Sequence, residues 1–123
     1  MTHWADELND FIGNENYYPI MPDIYITDGT KFVADKGKAD WLMTTIASYL
    51  PALTTKEFFI IARLTVTRTE SSCTALLILD DDIGNILAEQ FIEHTDFELD
   101  HIKLYVYYAY DKDKWVILLA CEY

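Results

Sequence analysis

Asp80-Asp81-Asp82, followed by Gly84 and Asn85, is the group of side chains best suited to hold a hard cation such as calcium. The spacing does not complete an EF-hand loop. Counted from Asp80, no acid stands at the fifth position, and Phe91 falls where a closing glutamate belongs. The same residues are the usual makers of a solvated hairpin turn, and a turn is expected here. His94, Asp96 and His101 are the one place where imidazoles lie near a carboxylate. They could hold a metal, or His94 could act as a general base oriented by Asp96. No nucleophile stands beside them and no ligand spacing is recognisable, so exposed loop histidines are expected. Cys73 and Cys121 have no adjacent Lys or Arg to lower their pKa, which favours buried free thiols within strands over reactive ones. There is no phosphate-binding glycine loop, nucleophile elbow or CxxC pair. No catalytic residue, metal or cofactor is expected.

Charge is more informative than any motif. Between Arg68 and Lys103 the chain has no basic residue and nine acids: Glu70, Asp80, Asp81, Asp82, Glu89, Glu93, Asp96, Glu98 and Asp100. The formal net charge is −12. Such a surface repels nucleic acid and anionic membrane and attracts basic proteins, so neither direct nucleic-acid nor membrane binding is expected. Acidity that serves only solubility is the competing reading. Tyr105, Tyr107, Tyr108 and Tyr110 occupy both faces of one strand; half can enter the core, and the others can form a contact surface. Asp80 to Asp82, Glu89, Glu93, Asp96, Glu98 and Asp100, with Tyr105 and Tyr107, are therefore the expected partner-binding residues.

The elements that must position these groups follow from periodicity. Trp4, Leu8, Phe11 and Ile12 predict a helix over residues 3 to 12. The segment before Pro19 should be extended. Ile24 to Thr27 and Thr30 to Ala34 flank Asp28-Gly29, a strong two-residue hairpin signal. Leu42, Ile46, Tyr49 and Leu50 predict a second helix over residues 38 to 50, ended by Pro51. Strands are then expected over residues 57 to 68, 74 to 79, 86 to 93, 102 to 110 and 115 to 121, with the short turns of an antiparallel meander. The 123 residues, 51% hydrophobic, suffice for one α+β domain spanning 1–123. Its expected form is an antiparallel sheet of about four to six strands with two helices packed on one face. No apolar run approaches the ~20 residues of a membrane span. The N-terminal residues show no signal-peptide pattern, so a cytoplasmic location is expected.

Several strings occur in order along nearly the whole chain: Glu15-Asn16-Tyr17-Tyr18, Thr27-Asp28-Gly29-Thr30-Lys31-Phe32, Trp41-Leu42 with Ile46-Ala47-Ser48, Thr95-Asp96-Phe97-Glu98-Leu99, Leu104-Tyr105 and Glu122-Tyr123. Together they resemble a family of small uncharacterised bacterial proteins, a domain of unknown function also found on plasmids and other mobile elements. The chain departs from that pattern at Pro19-Ile20, Glu98 and Ala120-Cys121. The resemblance implies no activity, cofactor or catalytic residue, and suggests a mobile-element context.

The resulting expectation is a non-enzymatic acidic binding protein that engages a basic protein surface. A phage- or plasmid-borne inhibitor would block the basic nucleic-acid groove of a host defence protein, a CRISPR effector included. A homodimer built on the tyrosine strand and a small metal-dependent enzyme at His94, Asp96 and His101 are the alternatives.

Overall fold

The structure is a computed structural model that describes residues 16–53, 59–109, 112–119 and 122. The helix expected over residues 3 to 12, as well as Tyr110 and Cys121, lie outside the described residues. The chain order is β1 (Tyr17–Met21), β2 (Ile24–Thr27), α1 (Asp28–Lys36), α2 (Asp40–Leu53), β3 (Phe59–Arg68), β4 (Cys73–Asp80), β5 (Ile86–Ile92), β6 (His101–Ala109) and β7 (Lys114–Leu119). This is a mixed α+β fold with one seven-stranded, mostly antiparallel sheet in the order β1-β2-β7-β6-β3-β4-β5. Seven strands exceed the four to six expected. Among the described residues no helix is long and apolar enough to cross a membrane.

The expected hairpin at Asp28-Gly29 does not form. Thr27 ends β2 and caps a helix: its hydroxyl accepts from the Thr30 amide at 3.4 Å, while the Thr30 hydroxyl accepts from the Thr27 amide at 2.9 Å. That reciprocal pair is a capping box with threonine in the third place. Asp28 suits the positive end of the helix dipole and Lys36 the negative end. Neither Asp28 nor Gly29 adopts the positive φ that a type I′ turn requires. Thr30, Val33 and Ala34 are buried at helical spacing.

Helix α2 buries Leu42, Met43, Ile46, Ala47 and Leu50, and runs past Pro51 to Leu53. Both helices share one core cluster with Ile24 and Ile26 of β2, Trp115, Ile117 and Leu119 of β7, and the alternate residues of β6, β3 and β4. The ladders put these strand residues on a single face: Ile26 pairs with Ile117, Ile117 with Val106, Val106 with Ile60, and Ala62 with Leu79. The second face carries Tyr25, Val116, Tyr107, Tyr105, Ile61, Arg63, Ile78 and Glu89.

The strands do not form a plain meander. β3, β4 and β5 follow one another, but β6 pairs with β3 rather than with β5. Residues 93–100 make the crossover. The Thr95 amide donates to the Cys73 carbonyl at 3.0 Å, and the Val66 amide donates to the Asp100 carbonyl at 2.8 Å. Thr95 and Phe97 point inward, Phe97 being 1% exposed. β2 then joins β7 in parallel, closing the sheet between the two ends of the chain.

Candidate functional site

The acids fall into two groups at opposite ends of β5. Asp80, Asp81 and Asp82 lie at or just beyond the end of β4, in the turn to β5; Glu93, Asp96, Glu98 and Asp100 lie in or beside the crossover. Seven residues of strand separate them, on the order of 20 Å at ~3.3 Å per residue. The fold thus does not bring them into one patch. Glu89, within β5, lies between the two groups on the second face.

The turn is internally committed. Arg63 binds Asp80 through Nε at 2.6 Å and Asp82 through a terminal nitrogen at 3.1 Å. Those carboxylates raise the pKa of the guanidinium, the hydrogen bond to Asp80 contributing most. Asp81 accepts from the amides of Ile83 at 3.0 Å and Asn85 at 3.1 Å and from the Asn85 side chain at 2.7 Å. These bonds hold its carboxyl below the ordinary aspartate value, the Asn85 side chain first among them. Asp82 and Gly84 take positive φ of 66° and 104°. The aspartates therefore build the turn, as the sequence indicated. At the other end Arg68 pairs with Asp100 and donates to the carbonyls of Phe97 at 2.7 Å and Leu99 at 3.2 Å. Asp96 and Glu93 stay exposed.

His94, Asp96 and His101 are all exposed, and among the described residues no group of three His, Cys, Asp or Glu side chains converges. Cys73 is a free, half-buried thiol. Tyr105 and Tyr107 lie on the second face, half-buried; the Tyr105 ring meets Phe59 edge-on at 5.3 Å and lies under the Lys103 ammonium at 5.4 Å. Tyr108 turns to the helix-covered face and packs edge-on against Trp115 at 5.3 Å. Of the three described tyrosines of this strand, Tyr108 alone turns to the packed face.

Sequence reasoning missed the apolar residues among the acids. Ile83 is 83% exposed, and Ile86 and Phe91 are each 60% exposed. All three belong to the β4–β5 hairpin, and β5 is an edge strand that pairs, among the described residues, with β4 alone. Phe91 stands opposite Leu76, and Glu89 opposite Ile78. The result is an open strand edge bordered by large apolar side chains, with Glu89 and Glu93 between and beyond them. The signal in the sequence was the run Ile83-Gly84-Asn85-Ile86, whose two isoleucines flank turn residues and cannot both be buried.

At the other side of the sheet, Glu122 holds the β2–α1 junction. It is 3% exposed and accepts from the Thr27 hydroxyl at 2.6 Å, the Leu119 amide at 2.9 Å and the Gly29 amide at 3.0 Å. The last is a first-turn amide of α1, so the carboxylate occupies the anion-attracting end of that helix. A strand, a turn with glycine and a helix would otherwise suggest a phosphate site; here the chain's own carboxylate fills it.

The chain belongs to a family of unknown function (DUF6876), whose sequence model matches residues 2–123. No curated protein and no solved structure matches the chain.

Proposed function

We propose that this chain is a non-enzymatic, acidic protein-binding domain whose β4–β5 hairpin docks on a basic and partly apolar protein surface. One observation carries this reading. Among the described residues, three of the five exposed large hydrophobic side chains, Ile83, Ile86 and Phe91, lie on a single hairpin at an open sheet edge, interleaved with acids. Exposed apolar groups at an edge strand are a liability unless a partner covers them, and an edge can add a partner's strand to the sheet. Glu89 and Glu93 set the sign of that partner. A second copy joined edge to edge would bring like charges together, which disfavours a homodimer at this edge and favours a basic protein. The basic nucleic-acid groove of a cytoplasmic host defence protein, a CRISPR effector included, has that chemistry, and a mobile-element inhibitor is the setting in which blocking it would be selected.

The test must spare the turn, because reversing Asp80 to Asp82 would strand Arg63 and remove the acceptors that shape the loop. The informative variant is Ile83→Ser, Phe91→Ser, Glu89→Lys and Glu93→Lys together. Capture from host lysate by wild type and by this variant, read by mass spectrometry, should give a basic nucleic-acid-binding protein with wild type alone, at low salt more than at high salt. Equal capture by both, in a variant whose circular dichroism is unchanged, would refute the reading.

A further inference from the structure

On the second face, away from the β5 edge, three strands place Tyr25, Val116 and Tyr107 side by side: Tyr25 pairs with Val116 across β2–β7, and Val116 with Tyr107 across β7–β6. The two tyrosines are thus two strand spacings apart, about 9.6 Å at ~4.8 Å per spacing. A ring seated midway would lie about 4.8 Å from each, within the ~4.5–7 Å range over which aromatic rings stack. Val116, 4% exposed, forms the floor. Tyr17 extends the walls, and the β6–β7 turn brings Lys112 and Lys114 to the rim. The cavity measures about 520 Å³, within the ~300–1,000 Å³ typical of small-molecule sites.

The described lining carries charge of the sign opposite to the molecule's. The chain has 21 acids and nine Lys and Arg, yet no carboxylate is among the described residues that line this cavity. Among the described residues Lys31, Arg63 and Arg68 are in ion pairs and Lys36, Lys38, Lys103, Lys112 and Lys114 are in none; of the latter, Lys112 and Lys114 line this cavity. Lys114 instead lies over the Tyr25 ring at 4.7 Å. Asp113, between them in sequence, accepts from the Tyr108 hydroxyl at 3.2 Å. Two ammonium groups that meet no carboxylate among the described residues call for an anion, and two point charges suit a dianionic phosphate better than a single carboxylate.

We propose that this cavity binds a small aromatic phosphomonoester of the nucleoside monophosphate class, with the base between Tyr25 and Tyr107 and the phosphate at Lys112 and Lys114. The acidity of the rest of the chain excludes a long polyanion, so the ligand is a free nucleotide rather than the end of a strand.

Calorimetric titration of the full chain with adenosine 5′-monophosphate, adenosine, inorganic phosphate and a 5′-phosphorylated oligonucleotide tests this. The monophosphate should bind saturably, and adenosine and inorganic phosphate at least tenfold more weakly. Lys112→Gln with Lys114→Gln should weaken the monophosphate at least tenfold; both substitutions leave the turn backbone intact, and an unchanged melting temperature confirms the fold. Tyr107→Leu, which keeps bulk on the sheet, should weaken adenosine and the monophosphate alike. Absence of saturable binding, phosphate binding as tightly as the nucleotide, tighter binding by the oligonucleotide, or full binding by the lysine variant would each overturn the assignment.

Discussion

Gly29 and Glu122 are 93 residues apart in sequence and meet at one point. A Cβ on Gly29 would fall 2.5 Å from Glu122 Oε1 and 2.6 Å from Leu119 Cδ1. Close approach, not turn geometry, is why glycine stands there. Gly29→Ala should cost about 1–3 kcal/mol by overpacking. Glu122→Gln should cost a further ~1–3 kcal/mol, because either orientation of the amide turns an N–H group toward a backbone donor. In a Glu122→Ala background the alanine at position 29 loses its worst clash. Its penalty should shrink, and urea unfolding of the two single variants and the double would show this as non-additivity; strictly additive costs would contradict the contact. Tyr18 offers a pH readout. Its hydroxyl donates to Asp28 Oδ1 at 2.8 Å, and that bond, then burial and the Asp28 charge, raise its pKa above the ordinary value of 10.0. The sign follows from the bond, which exists only while Tyr18 is protonated. It contributes stability below the unfolded value and loses it as pH rises through the raised folded one. Absorbance titration should show a late-titrating component that Asp28→Asn shifts downward.

Elements were legible in the sequence where a single period ruled them. Strand β2 was expected over Ile24 to Thr27 and is found there; β4, β5 and β6 lie within a residue of expectation at either end, apart from Tyr110 outside the described residues. The failure at α1 is instructive because the residues themselves were ambiguous. Thr27-Asp28-Gly29-Thr30 contains both the favoured hairpin dipeptide and a helix N-cap. The deciding facts are remote: the parallel partner strand β7 and the Glu122 carboxylate at the helix end. Residues 93–100 show a second kind of blindness. Thr95 and Phe97 point inward while Asp96, Glu98 and Asp100 face outward, so an alternating pattern was present. The density of acids drew attention to charge, although the structural work there is done by buried Phe97 and by Arg68. The same bias hid Ile83, Ile86 and Phe91 among their acidic neighbours, and it left Lys112 and Lys114 unremarked.

Strand order is a property of the whole molecule and could not be read locally. Among the described residues, the β1–β2 hairpin reaches the rest of the sheet only through β7, the last of the described strands. Its attachment relies on contacts of long sequence separation, such as Thr27 with Glu122, 95 residues apart. Closing such loops is entropically costly, and regions held only by them open first. β3, β4 and β5, by contrast, are joined by short turns, and each pairs with its neighbour in sequence. A chain ending at Leu119 lacks Glu122, so the α1 N-terminus loses its carboxylate acceptor and β2 its tie to β7 beyond the strand ladder itself. In that truncated chain, hydrogen exchange should quicken at Gly29, Thr30 and the β2 amides, while the amides linking β3 to β4 keep their protection. A uniform loss across both regions would mean that the sheet unfolds as one cooperative unit. The closing carboxylate would then stabilise the entire sheet rather than the seam between its first and last strands.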